Sequence, residues 1–348
     1  MMRVLCLLVF LASAQVSALS MALTEQFCNV QNKFGSYKMR WQRAKPTRPL
    51  KDAPAIVCIH GFGGNADQFR KNMPSFAAAG YDSYAIDLLG YGYCDKPDPK
   101  QYPVNEFYNF DTWSDQALSF VRSQVKGPVV LVCNSIGSVV GLQAAIKEPE
   151  TVKGLVLVDM SLRLLHVKKQ SPLTRPFVSA LQTFLRETPA GPGFFKQVAT
   201  PKVLRNILNQ AYAFPANLPE GEGVDDETLD FILQPGLDPG AAAVFLDFIS
   251  YSGGPLPEEL LPDVTCPVSI LWGQDDPWEP IDIGRKEYGS GKFPCVKEFV
   301  PLKGGGHCPM DQVPNLLNAE VLRFLSEYKD EVGTKRSSFA FNFSDFKF

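Results

Sequence analysis

The stretch Val129-Val-Leu-Val-Cys-Asn-Ser-Ile-Gly-Ser138 runs from an apolar, β-branched segment straight into a serine and then into a helical pattern. An apolar run without polar residues is typical of a strand buried on both faces of a parallel sheet. Residues 136–147 keep apolar side chains at helical spacing, with small residues between them, and Pro149 follows. The sequence therefore predicts a strand, a sharp turn at Ser135 and a helix.

A serine in such a turn is a candidate nucleophile. In the pattern G-x-S-x-G, a strained strand-to-helix turn exposes the serine hydroxyl at the sheet edge and needs small residues two positions to either side. Gly137 fits this pattern, whereas Cys133 stands where the first glycine is expected. The alternative is that Ser135 only caps the N-terminus of the helix, which serine commonly does. A base, an acid and an oxyanion site elsewhere in the chain would favour the nucleophile.

Composition narrows the classes of function. The 348 residues are 45% hydrophobic and 20% charged, which is enough for a large core. The formal net charge is only −3 and Lys168-Lys169 is an isolated pair, so we expect no nucleic-acid partner. The cysteines are scattered, and the three histidines lie at no metal-ligand spacing. We therefore expect no disulfide scaffold, no metal and no cofactor.

Residues 1–18 have the pattern of a signal peptide: Arg3, a short apolar run and small residues around Ala14 and Ala18. The run is too short for a membrane span. We expect the chain to enter the secretory pathway, with two final sites left open. One is a secreted or endomembrane location, and the other is the plastid of an alga, reached if the signal is the first half of a bipartite address.

Strand and helix patterns alternate along most of the chain, which is typical of an α/β domain with a mostly parallel central sheet flanked by helices. We assign residues 24–160 and 264–328 to this core. Residues 161–263 interrupt the alternation, are rich in Pro and Phe and contain no convincing strand, so we predict an inserted helical cap. Its Phe residues either line an apolar pocket or form the cap's own small core. Residues 329–348 are predicted to be a C-terminal tail.

Three loops at the carboxyl ends of predicted strands carry Ser135, the acidic Gln274-Asp-Asp276 and His307. Ligands bind at this edge of open α/β sheets. Nucleophile, acid and base follow one another in the order of the α/β-hydrolase fold. Residues 53–328 resemble that superfamily, which includes esterases, haloalkane dehalogenases and epoxide hydrolases. The motifs that carry the resemblance are His60-Gly-Phe-Gly63, Asp87-Leu-Leu-Gly-Tyr-Gly92, the stretch around Ser135, Trp272-Gly-Gln-Asp-Asp-Pro277 and Gly306-His307.

Three further motifs resemble the plant and algal plastid hydrolases related to pheophytinase and chlorophyll dephytylase. They are Tyr251-Ser-Gly-Gly-Pro-Leu-Pro257, Asp276-Pro-Trp-Glu-Pro280 and Gly306-His-Cys-Pro309. Enzymes of that branch are serine hydrolases that remove the phytyl ester from chlorophyll pigments. The resemblance implies a hydrophobic small-molecule ester as the partner, and transient association with a membrane to reach it.

The resemblance also implies catalytic roles. His307 takes the proton of Ser135 as attack proceeds and returns it to the leaving alcohol. Asp276 matches the position of the acid that orients the imidazole, with Asp275 as an alternative. Asp159 is another candidate acid, because it ends the strand after Ser135, where some relatives carry the acid; it could equally cap the segment that follows.

The oxyanion of the tetrahedral intermediate needs backbone donors, which by resemblance are the N–H groups of Phe62 and Ile136. His60 is expected to order its loop and not to react.

A serine at position 135 favours ester hydrolysis, because dehalogenases and epoxide hydrolases use a carboxylate nucleophile. The leading hypothesis is a serine carboxylic-ester hydrolase for an apolar ester, with the phytyl ester of chlorophyll or pheophytin as the candidate substrate. The alternatives are a lipase or a C–C bond hydrolase with the same triad, or a non-catalytic binding protein for a hydrophobic ligand. The sequence carries no prediction of the oligomeric state.

Overall fold

A computed structural model describes residues 23–215, 218 and 222–333. The predicted signal peptide and residues 334–348 of the predicted tail lie outside the described residues.

The centre of the fold is an eight-stranded sheet in the order β1-β2-β4-β3-β5-β6-β7-β8. β1 and β2 pair antiparallel, as do β2 and β4, and the remaining neighbours are parallel. The sheet is thus mostly parallel, as predicted. The strands are β1 (Thr24–Asn32), β2 (Gly35–Ala44), β3 (Ala55–Ile59), β4 (Ser83–Ile86), β5 (Val129–Asn134), β6 (Val152–Val158), β7 (Val268–Gly273) and β8 (Val296–Leu302).

Helices cover both faces of the sheet, and a group of helices follows β6. The helices are α1 (Met73–Ala78), α2 (Phe110–Phe120), α3 (Ile136–Lys147), α4 (Arg175–Glu187), α5 (Ala190–Val198), α6 (Pro201–Ala211), α7 (Asp226–Gly236), α8 (Ala241–Ile249), α9 (Pro257–Leu260), α10 (Ile281–Tyr288), α11 (Pro309–Gln312), α12 (Pro314–Glu327) and α13 (Lys329–Val332). Between β6 and β7 the described residues form helices and loops and no strand.

The sheet separates two apolar cores. All six residues of β5 are buried, and alternate side chains point to opposite faces because the period of a strand is two. Leu131 packs into the core that includes residues of α2 and α3. Val130 and Val132 pack into the opposite core, with residues of α1 and α12. The continuous apolar run therefore reflects burial on both faces, which fixes the position of the turn that follows.

Pro74 occupies the first turn of α1, where the missing N–H costs no hydrogen bond. One local prediction differs from the structure. The core was predicted to end at residue 328, yet α13 continues it, and the side chain of Val332 is fully buried. A Cβ on Gly154 of β6 would come within 3.0 Å of Val332 Cγ1, so α13 packs on the sheet and is not part of a free tail.

Candidate active site

Ser135 occupies the sharp turn between β5 and α3, with φ 53° and ψ −121°. A positive φ is uncommon for a residue other than glycine, costs on the order of 1–3 kcal/mol, and persists only where the surroundings impose it. Here the surroundings do, because the Ser135 N–H donates to Val158 O at 2.9 Å. The serine side chain makes no capping hydrogen bond to α3. The helix-cap alternative is therefore wrong for this hydroxyl.

Gly137 lets the helix approach the loop after β3. A Cβ at this position would lie 2.6 Å from His60 O and 2.8 Å from Ile59 O, both backbone atoms. Only glycine fits that approach without a shift of the backbone.

Cys133 fits the turn because a second glycine makes room for it. Its side chain is fully buried and points at α3, where a Cβ on Gly141 would come within 2.6 Å of Cys133 Sγ. The turn needs space beside position 133, and Gly141 of the helix provides it. A thiol at position 133 is accommodated by the missing side chain at position 141.

The predicted acid and base, Asp276 and His307, are hydrogen-bonded to each other. The Nδ1 of His307 lies 2.8 Å from Asp276 Oδ2, and both residues are buried. The other carboxylate oxygen, Oδ1, accepts from the backbone N–H groups of Trp278 at 2.8 Å and Glu279 at 3.1 Å. Three donors therefore hold the Asp276 carboxylate, which fixes the imidazole orientation and leaves Nε2 of His307 for chemistry.

The neighbouring backbone places His307 beside the turn. Asn134, the residue before Ser135, donates from Nδ2 to His307 O at 3.1 Å. The His307 N–H donates to Ala211 O at 2.7 Å, at the end of α6. Ser135 and His307 share no hydrogen bond in the part of the chain that the structure describes. Catalytic hydrogen bonds of this kind are often long until a substrate binds.

Asp159 is not the acid that binds His307. Its Oδ1 accepts from the Gly273 N–H at 2.7 Å, and its Oδ2 is buried without a partner. Burial, and then the negative charge of Asp276, raise the pKa of Asp159 well above the usual range of a carboxyl. The Asp159 carboxyl thus binds the backbone of β7 and not the imidazole. The other alternative, Asp275, is exposed at the surface.

Glu279 is a half-buried residue that the sequence reasoning did not single out. Its Oε1 accepts from the Ser161 hydroxyl at 3.1 Å, while Oε2 is buried without a partner. Burial raises the pKa of Glu279 to about 7, and the proximity of His307 opposes the rise. The indole of Trp278 lies 5.1 Å from the His307 ring. Trp278 and Glu279 belong to the motif Asp276-Pro-Trp-Glu-Pro280. The sequence analysis noted this motif for its resemblance and assigned neither of the two residues a role.

The two expected oxyanion donors are free. The N–H of Ile136 is at the first turn of α3, and that of Phe62 is in the loop after β3; neither donates to another described residue. The two segments touch, because a Cβ on Gly61 would lie 3.0 Å from Ser135 Cβ. A helix N-terminus adds positive potential at this point.

His60 orders its loop, as expected. The ring Nδ1–H donates to Gly61 O at 2.7 Å, and Nε2 accepts from the Leu88 N–H at 3.0 Å. Burial lowers the pKa of His60 to about 4, so the ring is neutral and both nitrogens are occupied.

Aromatic rings extend from the site into the helices after β6. The ring of Phe62 stacks on Phe248 at 5.3 Å and lies 5.4 Å from Phe245. Phe245 in turn contacts Phe195 of α5 at 5.2 Å. We call these four rings the aromatic row, and its member Phe248 belongs to the buried core. Phe177 and Phe184 of α4 are exposed and belong to neither of the two uses considered for the Phe residues.

A profile of the alpha/beta hydrolase family matches residues 56–320. The chain belongs to this family. The predicted α/β-hydrolase fold is thereby confirmed, and hydrolase activity is supported by the relatives.

Three curated relatives illustrate the breadth of the family. The chain is 25% identical over 311 residues to the chloroplastic pheophytinase of Arabidopsis thaliana, a match that covers 77% of this chain and 60% of that protein's length. It is 24% identical to the uncharacterised hydrolase YugF of Bacillus subtilis, over 78% of this chain and 89% of the relative. A human (lyso)-N-acylphosphatidylethanolamine lipase is also 24% identical, with 78% of each chain covered.

Solved structures agree on the fold. The epoxide hydrolase VrEH1 of Vigna radiata superposes with a TM-score of 0.65 at 18% identity, covering 89% of this chain and all of the other. A thermophilic esterase from Thermogutta terrifontis gives a TM-score of 0.63 at 19% identity, with the same coverage. At this level of identity the likeness concerns architecture and not substrate.

Proposed function

We propose that the protein is a serine-dependent carboxylic-ester hydrolase with Ser135 as nucleophile, His307 as base and Asp276 as the orienting acid. The observation that carries the proposal is a serine at positive φ in a strand-to-helix turn, beside an imidazole held by a buried carboxylate. Epoxide hydrolases and dehalogenases of this fold attack with a carboxylate, for which a serine cannot substitute.

The steps follow from these groups. Ser135 Oγ attacks the carbonyl carbon of the ester while His307 Nε2 accepts the hydroxyl proton. The oxyanion that forms is stabilised by the N–H groups of Phe62 and Ile136, and loss of one such donor typically costs roughly 10²–10³ in rate. Collapse expels the alcohol, which takes the proton from the imidazolium. Water then attacks the acyl-enzyme with the same base, which releases the acid and restores the serine.

The proposed substrate is an apolar ester, and the phytyl ester of chlorophyll or pheophytin is the specific candidate. Two observations support it: the aromatic row that ends at Phe62, and the likeness to a protein named pheophytinase. The relative named as a lipase and another named as a 2-hydroxy-6-oxononadienedioate hydrolase define the competing activities.

Two experiments test the proposal in turn. A fluorophosphonate probe is expected to label the parent and to leave Ser135→Ala unlabelled, while Ser179→Ala, which removes an exposed hydroxyl on α4, stays labelled. Equal labelling of the parent and Ser135→Ala would refute the mechanism.

The substrate class is tested separately with the parent protein. Release of phytol from chlorophyll a or pheophytin a is expected. Turnover of p-nitrophenyl butyrate without any release of phytol would remove the pigment assignment and keep the esterase, and a panel of phospholipids and C–C substrates would then identify the activity.

A further inference from the structure

One helix of the inserted region exposes an apolar face. α4 contains no buried residue. Phe177, Leu181 and Phe184 recur at helical spacing on one face, and their exposed fractions are 77%, 58% and 53%. Leu173, four residues before Phe177, is 83% exposed. We call these four side chains the cap patch. Neighbouring large apolar residues exposed in this way mark an interaction site and not an ordinary surface.

The same part of the chain is strongly cationic. Residues 161–215 contain eight Lys and Arg residues against one acidic residue, Glu187, a formal charge of +7 in a chain whose net charge is −3. Arg175, Lys196 and Lys202 are exposed and form no ion pair with any described residue. The ion pairs in this stretch involve Lys168, Lys169, Arg186 and Arg205.

Charge is divided sharply between the two halves of the inserted region. Residues 216–263 contain eleven Asp and Glu residues and no Lys or Arg. Three of these acids, Asp226, Glu258 and Glu259, form ion pairs with cations of the first half. The exposed cations that remain for an anionic surface are therefore Arg175, Lys196 and Lys202.

The cationic half is continuous with the candidate site. α5 packs against both α4 and α8. On α5, Phe194 is 40% exposed and lies 6.4 Å from Phe245, whose ring contacts Phe62 at 5.4 Å. The aromatic row thus connects the surface beside α4 with the loop that carries an expected oxyanion donor.

We propose that the cap patch, with Arg175, Lys196 and Lys202, docks the protein on the surface of an anionic lipid bilayer. A helix with an apolar face, rich in cations nearby, lies in the plane of such a surface with its apolar face among the acyl chains. None of the described helices is long and apolar enough to cross a membrane. Docking does not depend on the proposed reaction, since it is measured by binding alone.

The apolar half of the proposal is tested by co-sedimentation of the full chain with vesicles of phosphatidylcholine, with and without phosphatidylglycerol. Phe177→Ser/Leu181→Ser is expected to lower the partition coefficient on the anionic vesicles by roughly 30-fold, because each substitution removes a side chain that would be buried in lipid. The matched control is Val104→Ser/Leu237→Ser, which removes side chains 61% and 56% exposed outside the cap patch and is expected to leave binding within about 2-fold. All variants share the same N-terminus, so any lipid binding by residues 1–18 cancels in the comparison.

The electrostatic half is tested by Arg175→Gln/Lys196→Gln/Lys202→Gln. Each cation near an anionic surface contributes roughly 5-fold in binding, so a loss of about 100-fold is expected on anionic vesicles and almost none on phosphatidylcholine alone. Raising the salt concentration should weaken parent binding and leave the triple variant little changed.

Three results would overturn the proposal. They are a parent protein that does not bind anionic vesicles, equal binding of the parent to neutral and anionic vesicles, and a loss of vesicle binding in the control variant as large as that in the cap-patch variant. If a second copy or residues 334–348 cover the cap patch instead, the parent does not bind vesicles. In that case Phe177→Ser/Leu181→Ser changes the sedimentation coefficient or the protease sensitivity of the tail. Hydrolysis of p-nitrophenyl butyrate, a soluble ester, is measured in parallel, so failure of docking and failure of the proposed catalysis are told apart.

Discussion

The accommodation of Cys133 by Gly141 predicts a specific rescue. In the parent, Gly141→Ala places a methyl group 2.6 Å from Cys133 Sγ, a contact that forces side chain or helix to shift and costs typically 1–3 kcal/mol. The same substitution gains about 1 kcal/mol of helix propensity. The net change in the free energy of unfolding is therefore a loss of about 0–2 kcal/mol.

Removing the sulfur changes that result. With Cys133→Ala in place, the nearest atoms to the new methyl group are Cys133 Cβ and Leu155 Cδ2, both at 3.6 Å, which is ordinary van der Waals contact. Gly141→Ala then keeps its propensity gain and is expected to stabilise by about 1 kcal/mol. The coupling free energy between the two substitutions is thus about 1–3 kcal/mol in favour of the double variant.

Urea unfolding of the parent, both single variants and the double variant measures this coupling directly. Cys133→Ala alone is expected to cost about 1–2 kcal/mol, because it leaves a small cavity in a fully buried site. A coupling free energy within about 0.5 kcal/mol of zero would refute the explanation, since Gly141 would then be required for a reason unrelated to the thiol.

Three further predictions follow from the site. Gly137→Ala is expected to lower the free energy of unfolding by about 3 kcal/mol or more, since the new methyl group clashes with backbone atoms. The control Gly127→Ala has nothing within 4 Å of the new Cβ and should change the free energy of unfolding by less than about 0.5 kcal/mol. Equal losses in urea unfolding would contradict the packing argument. Asp276→Asn is expected to lower kcat for p-nitrophenyl butyrate by roughly 10³–10⁴, because Asp276 orients the imidazole. Asp159→Asn, at a carboxyl that binds the Gly273 N–H and not His307, is expected to lower kcat by less than about 10-fold. Reversed effects in steady-state kinetics would exchange the two roles. Burial raises the pKa of Glu279 to about 7 from an ordinary value of 4.5, so folding favours its protonated form. The free energy of unfolding should therefore fall by up to about 3 kcal/mol as pH rises from about 5 to about 8. Glu279→Gln should remove that part of the pH dependence, and an unchanged difference between urea unfolding at the two pH values would exclude Glu279 as its source.

The sequence was sufficient for the parts of the fold that depend on local pattern. The apolar run before Ser135 predicted a strand buried on both faces, and β5 is buried along its whole length. The order of Ser135, Asp276 and His307 predicted which loops meet, because parallel strands place their carboxyl ends at one edge. The choice of Asp276 as the partner of His307 came from the resemblance, with Asp275 and Asp159 as alternatives, and the catalytic use of these residues stays a proposal.

Features that depend on tertiary contact were not predictable. Cys133 and Gly141 are eight positions apart and meet only because α3 folds back on β5. The raised pKa of Asp159 follows from its burial beside Asp276, which no spacing reveals. The exposed apolar face of α4 could not be recognised from the Phe-rich sequence, because sequence alone does not say which side chains a neighbouring helix covers.

The close approach at Gly137 has a consequence for how this fold can diversify. Between the helix that carries the Ile136 N–H and the loop that carries the Phe62 N–H, the contact is made by main-chain atoms of residues 59, 60 and 137. The side chain of Phe62 takes no part in this contact. Substitutions of Phe62 can therefore alter which molecules enter the site while the main-chain contact that spaces the two N–H groups is kept.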